Sequence, residues 1–304
     1  MPTRPTPTLS ALATPIAMAL LAPAALAGLD PILRYTFDDM ANPTANTGTL
    51  GAAYDASVGP GIVFVPFAGG FAIEKSAPLD SQVVPLGAEG VFDLADANFT
   101  VRATISTTYL DPDVTGGMFV VTKQLIGNDP GWYLMVQRNS GLARFGLADG
   151  TQSLALFSCT SVNDGLPHIL TGVRDGDRVA LLVDGVVESA GRVPSNFGST
   201  SDNPDALAIS GRALGNGTPT TGLNDEFVGL IDDVEIYDAA VAPTTPSNPA
   251  DLAPPYGVYD FSDVLAFLNA FGAMQPDADI ATPIGVYDFS DVLAFLTAFG
   301  AGCP

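Results

Sequence analysis

Cysteine, histidine, lysine and tryptophan are nearly missing from this chain. Its 304 residues hold two cysteines, one histidine and one tryptophan, and Lys75 and Lys123 are its only lysines. Two cysteines build no disulfide framework. Cys159 reads as a small buried apolar residue, no bridge to Cys303 is expected, and Cys303 is left as the candidate for intermolecular chemistry. A single histidine, His168 after Leu166-Pro167, supplies neither a histidine metal cluster nor a Ser-His-Asp arrangement. It reads as a strand histidine with its hydrogen bonds satisfied. Eleven basic residues face 33 acidic ones, for a net charge of −22. Such a field repels phosphate backbones and excludes nucleic acid as a partner. No Gly-rich phosphate loop precedes a helix. Long apolar runs are lacking too, so no membrane span is expected. Arg4, the short apolar run Ile16 to Ala22 and Ala25-Leu26-Ala27 read as a signal peptide over 1–27, cleaved after Ala27. No cysteine follows that point to carry a lipid. The product is expected outside the cell, secreted or at the cell surface.

What the chain has in plenty is glycine (32), proline (25) and short alternating stretches. Leu33, Tyr35 and Phe37 alternate with polar neighbours, as do residues 99–107. Trp132, Leu134 and Val136 share one face of another strand. Asp175-Gly176 and Asp184-Gly185 mark two tight hairpins around 169–173, 178–183 and 186–189. Residues 206–210 and 227–237 close the set. About a dozen strands without a convincing helix predict a mainly β fold, a two-sheet antiparallel jelly-roll sandwich over 28–241. The Pro-rich linker 242–250 (APTTPSNPA) follows.

The last part, 251–304, is written twice. Gly257 to Leu268 reads GVYDFSDVLAFL, and Gly285 to Leu296 repeats it letter for letter. Val264, Phe267, Leu268 and Phe271 form one apolar helical stripe, as do Val292, Phe295, Leu296 and Phe299. These eight are expected to pack the two helices together or to face a partner. Asp260 with Asp263, and Asp288 with Asp291, stand where a capping box belongs. Gly272 and Gly300 stand at the expected helix ends. One unit is too small to bury its own face, so the two must pair.

Several stretches carry a resemblance to known families. RYTFDD from Arg34, FTVRA from Phe99, GWYL from Gly131, HILTGVRDGDRVALLVDGV from His168 and GLIDDVEIY from Gly229 occur in order. Together they resemble the laminin-G-like, concanavalin A-like jelly roll. The resemblance implies the fold and, less specifically, glycan or surface-protein recognition. Glycosidases on this sandwich carry Glu-x-Asp-x-x-Glu. Here the segment reads Leu230-Ile-Asp232-Asp-Val-Glu235, so the first glutamate is missing and no catalytic residue is assigned. A carboxylate on a core-side face needs a partner. By strand parity Asp39 and Asp232 are both core-side, and either share a Ca²⁺ at the rim or cap loop amides. For stacking on sugars the loop aromatics Tyr54, Tyr109 and Phe197 are candidates, and Asn216-Gly-Thr218 could line a shallow site.

The duplicated tail resembles a dockerin module of the type ending in Gly-Cys. That implies a cohesin-like or other surface receptor as partner, and calcium as ligand of its loops. Asp251, Asp260 and Asp263, with Asp279, Asp288 and Asp291, fit part of an EF-hand-type pattern, but prolines and alanines fill the intervening ligand places. Two readings stand for these carboxylates: helix caps, or calcium ligands completed by backbone and water. For the whole chain the first reading is a secreted, non-catalytic binding protein displayed through its tail. A structural or adhesive matrix component, or a glycan-active enzyme with an unrecognised site, are the alternatives.

Overall fold

The computed structural model describes residues 29–75, 82–124, 129–198, 203–214, 225–244 and 248–302. The expected signal peptide, the centre of the linker, Asn216 to Thr218 and Cys303 lie outside the described residues. Alternating apolar sequence gives fifteen strands among them: β1 Leu33–Tyr35, β2 Ala56–Val58, β3 Val63–Phe67, β4 Gly70–Lys75, β5 Val83–Pro85, β6 Phe99–Ser106, β7 Gly117–Thr122, β8 Gly131–Gln137, β9 Leu142–Ala148, β10 Ser153–Ser161, β11 His168–Asp175, β12 Arg178–Val183, β13 Val186–Arg192, β14 Ala208–Ile209 and β15 Gly229–Tyr237. Two helices follow, α1 Phe261–Gly272 and α2 Phe289–Ala301.

Two antiparallel sheets make the sandwich. One runs β13-β12-β11-β6-β15-β4-β3 with β1 also on β15; the other runs β10-β9-β8-β7-β14-β5-β2. Fully buried Leu33, Tyr35, Phe99, Trp132, Phe145, Leu181 and Ile236 fill the space between them. The Phe99 ring lies 5.3 Å from Trp132 and 5.9 Å from Phe145. Both expected hairpins form, with Gly176, Asp184 and Gly185 at positive φ, the conformation that such turns require.

Strand parity fails at two places. β1 stops at Tyr35, and Phe37 takes φ 57°, so the alternation does not extend to Asp39. In β15 the register with β6 shifts between Asp232 and Glu235, and Asp233 takes φ 46°. This bulge reverses the facing of everything after it. Ile231, Val234 and Ile236 are therefore all core residues, while Leu230 is part-exposed.

The two helices close on each other. Phe267 and Phe295 are buried and stack at 4.2 Å between ring centroids. Val264, Phe271, Val292 and Phe299 pack around them half-buried. Leu268 and Leu296 do not join this core; they are 54% and 52% exposed. Asp260 and Asp288 cap the helices in full capping boxes. Gly272 lies inside α1, and the chain turns at Met274 with φ 52°. Gly300 likewise lies inside α2, which ends at Gly302.

The pair of helices does not hang free of the sandwich. The peptide N–H of Phe157 in edge strand β10 donates to the Tyr256 carbonyl at 3.1 Å. The Tyr256 ring covers Gly191 of β13, where a Cβ would meet it at 2.1 Å. Cys159 lies beside this seam, its Sγ 3.9 Å from the Gly257 carbonyl. Cys159 is disulfide-bonded, which corrects the reading that it is a free buried residue. The only other cysteine in the sequence is Cys303. Past the Pro-rich linker, Tyr256 and Gly257 lie against the strand that carries Cys159.

Candidate functional site

The outer face of the second sheet carries an aromatic and cationic row that strand register alone assembles. Phe119 on β7 pairs with Met135 on β8, Met135 with Arg144 on β9, and Arg144 with Phe157 on β10. Four strands thus bring four side chains into one line across the sheet. Tyr133 lies beside the row, its ring in the space above Gly146, where a Cβ would come within 2.1 Å of it. The Arg144 guanidinium sits 5.3 Å from the Tyr133 ring centre and 5.1 Å from that of Phe157. Phe119 meets Tyr133 edge-on at 5.6 Å, and Arg212 lies 4.5 Å over Phe119. Arg212 is ion-paired with Asp225. Burial still pushes the Asp225 carboxyl above its ordinary range, against the pull of Arg212. Among the described residues Arg144 makes no ion pair, and its guanidinium lies against ring faces. Arg144 and Phe157 are half-buried. Phe119, Met135 and Tyr133 are buried, 8%, 5% and 5% exposed, so what the row offers a ligand is Arg144 beside the Phe157 ring, hydrogen-bond donors next to one stacking surface.

The loop aromatics expected to stack on sugars, Tyr54, Tyr109 and Phe197, are placed elsewhere, and the strand tryptophan is no platform either. Trp132 is fully buried, its indole N–H on the Phe92 carbonyl at 2.9 Å. Tyr54 and Phe197 pack half-buried against the main core. Tyr109 does the same, but also lines an open cleft of about 430 Å³ with Glu74, Thr107 and Gly229.

The acidic corner differs from the expected pair. Asp39 is exposed and accepts the Ala41 amide at 3.0 Å. The charges that Asp232 feels are those of Asp233 and Asp38. Burial above all, then these two neighbours, raise the Asp232 carboxyl to about 7. Asp38 accepts the Phe71 amide at 2.8 Å. Glu235 is engaged by Arg34 and Arg102 and by the Tyr237 hydroxyl. No group of three or more His, Cys, Asp or Glu among the described residues is arranged to hold a metal. His168 is bonded on both nitrogens, to Asp184 at 2.8 Å and Asp164 at 3.1 Å. The Asp184 bond above all, against the opposing effect of burial, raises its imidazole above the usual value.

In the tail the carboxylates turn inward on their own loops. Asp263 and Asp291 are fully buried, and three peptide N–H groups reach each of them. Asp251 is 4% exposed. Its Oδ2 accepts Gly257 N at 2.9 Å, while Oδ1 is buried without a hydrogen bond. Burial raises its carboxyl to about 7. Outside this core each helix shows a second stripe to solvent: Phe261, Leu265 and Leu268 on α1, Phe289, Leu293 and Leu296 on α2, all at least 51% exposed.

A family model described as the concanavalin A-like lectin/glucanases superfamily matches residues 81–245, more than half of the chain. The chain belongs to this superfamily. Among solved structures it is similar to the binding domain of Paraclostridial Mosquitocidal Protein 1, at 12% identity and TM-score 0.54, over 69% of this chain and 49% of that one. It thus spans about half the length of that toxin domain. It is also similar to domain 4 of AbnA, an extracellular arabinanase of Geobacillus stearothermophilus solved with arabinotriose. There identity is 17% and TM-score 0.51, over 72% of this chain and 95% of that one. At such identities the likeness is one of fold. No curated protein sequence matches the chain. The superfamily match ends before the duplicated tail.

Proposed function

We propose that this is an exported, non-catalytic glycan-binding protein whose sandwich reads sugars on the outer face of the second sheet, and whose tail fixes it to a surface receptor. The observation that carries the reading is Arg144 beside Phe157, the part of the row Phe119–Met135–Arg144–Phe157 that reaches solvent, seated on the buried Tyr133. In a chain of net charge −22, a guanidinium held on aromatic rings without a carboxylate partner among the described residues is a recognition element rather than a stabilising ion pair. Superfamily membership supports a ligand-binding sandwich, and the extracellular arabinanase domain solved with arabinotriose supports a sugar as ligand. Leu230 in place of the first glutamate, and Glu235 held by two arginines, favour binding over hydrolysis. The six exposed apolar residues on α1 and α2 support a protein partner for the tail, the role that a dockerin-like module has towards a cohesin-like receptor.

A glycan array probed with the full chain tests the sandwich. Arg144→Ala should weaken any hit about tenfold or more, and Tyr109→Ala in the 430 Å³ cleft should leave it unchanged. The reverse pattern moves the site to that cleft. An array without hits turns the reading to a structural or adhesive component, and turnover of a hit turns it to an enzyme.

A further inference from the structure

A calcium ion in either tail loop would need about six to eight oxygens with free lone pairs converging on one point. The loops are built the other way round. In the first, Oδ1 of Asp263 accepts the amides of Leu252 at 2.8 Å and Ala253 at 2.9 Å, and Oδ2 accepts that of Asp260 at 3.0 Å. In the second, Oδ1 of Asp291 accepts Ile280 at 2.9 Å and Ala281 at 2.8 Å, and Oδ2 accepts Asp288 at 3.0 Å. Consecutive peptide N–H groups converging on one oxygen form an anion-binding concavity. Here the anion is the loop's own carboxylate, at the place where a metal-binding loop would keep its last ligand. The amide bonds hold the Asp291 carboxyl below its ordinary range. Asp260 and Asp288 spend an oxygen on the amides of Ser262 and Ser290, each at 2.7 Å. Asp251 and Asp279 spend Oδ2 on Gly257 and Gly285. Of the carboxylate oxygens, what remains buried and without a hydrogen bond is one per loop, Oδ1 of Asp251 and Oδ1 of Asp279. One such oxygen is far short of a coordination sphere, and the inward-pointing N–H dipoles oppose a cation.

We propose that peptide N–H groups gathered on Asp263 and Asp291 take the place of calcium in the two tail loops, so that the tail folds and stays folded without the ion. This concerns how the loops are closed, and stands whether or not the tail meets a receptor.

Hydrogen exchange of the full chain, read peptide by peptide by mass spectrometry, tests it in EDTA and in millimolar Ca²⁺. Peptides over 248–302 should be equally protected in both. Protection gained only in peptides of the sandwich leaves the proposal standing. Asp263→Asn places an amide donor against the N–H groups that Asp263 now accepts. It should speed exchange in the first loop about tenfold, to the same extent with and without Ca²⁺. Should that variant fail to fold, the wild-type comparison still decides. Calcium-dependent protection of 248–302, or two bound Ca²⁺ per chain that Asp263→Asn and Asp291→Asn each reduce by one, would overturn the proposal.

Discussion

The two copies of GVYDFSDVLAFL are identical in sequence and differ only in what stands next to them. Before the first copy stands Tyr256, 7% exposed, its ring over Gly191 and its carbonyl bonded to Phe157. Before the second stands Ile284, 70% exposed. Gly257 and Gly285 share a left-handed backbone, φ 85° and 89°. A Cβ on Gly257 would meet the Phe157 carbonyl at 2.1 Å, whereas one on Gly285 meets nothing within 4 Å. The helices and capped loops repeat faithfully, so local sequence dictates them. The docking onto the sandwich does not repeat, so it depends on the one aromatic residue outside the duplicated word and on the strand edge within its reach.

The contact that joins the copies should be the most sensitive. Phe267→Ala removes half of the Phe267–Phe295 stack from a core made of few residues. A loss of about 3–5 kcal/mol is expected, enough to unfold the tail. Proteolysis of the full chain should then cut within 251–302 while the sandwich resists, and a tail of wild-type resistance would show that the copies do not depend on each other.

Next in size is the seam. Gly257→Ala adds left-handed strain, about 1–2 kcal/mol, to a backbone clash with Phe157. Gly285→Ala adds the strain alone. The first variant should expose β10 and the Cys159 bond to solvent and reductant; the second should not. Equal rates of disulfide reduction in the two variants would erase the distinction between the copies.

Much of this was legible beforehand, and the failures have physical causes. The sandwich, both Asp-Gly hairpins and the capping boxes follow from local patterns that the chain obeys. Asp39 and Asp232 were paired by counting alternation through Phe37 and Asp233, two residues with positive φ, where a period of two no longer holds. Phe119, Met135, Arg144 and Phe157 come from four strands, and no spacing in the sequence shows that they share a row. The seam escaped notice because Tyr256 reads as a loop aromatic until β10 is seen to be an edge. Phe261, Leu265 and Leu268 stand at i, i+4 and i+7, but Leu268 reads as part of the stripe that packs, so this second stripe was missed.

Acidity acts on the first copy through Asp251. Its carboxyl titrates near 7 in the fold, against an ordinary 3.8, because burial disfavours the charge. The folded chain therefore keeps a proton that the unfolded chain has released, and the stabilisation is complete below about pH 4. It is lost as pH rises towards 7 and stays lost above. Asp232 behaves alike in the sandwich. Asp251→Asn should therefore flatten the pH dependence of exchange in 248–260 between pH 4 and 7, while that of β15 persists. If the variant leaves the tail's profile unchanged, Asp251 is not the group that senses pH at the seam.

The smallest effect belongs to the side chain that most separates the copies. Ile284 occupies the place of Tyr256, yet 70% of it faces solvent. Ile284→Ala should change stability by no more than about 0.5 kcal/mol. Tyr256→Ala, which empties the space over Gly191, should cost several times that and free the tail. Because Ile284 carries so little of the fold, it is also a clean probe of partners. With Val286 and Phe289, 47% and 75% exposed, it forms apolar surface beside the α2 stripe. If Ile284→Ala leaves melting untouched but weakens capture of a surface receptor, the second loop is where the tail meets other molecules. Should Ile284→Ala destabilise the chain as much as Tyr256→Ala, the second loop is docked in solution as the first is, and the asymmetry between the copies disappears.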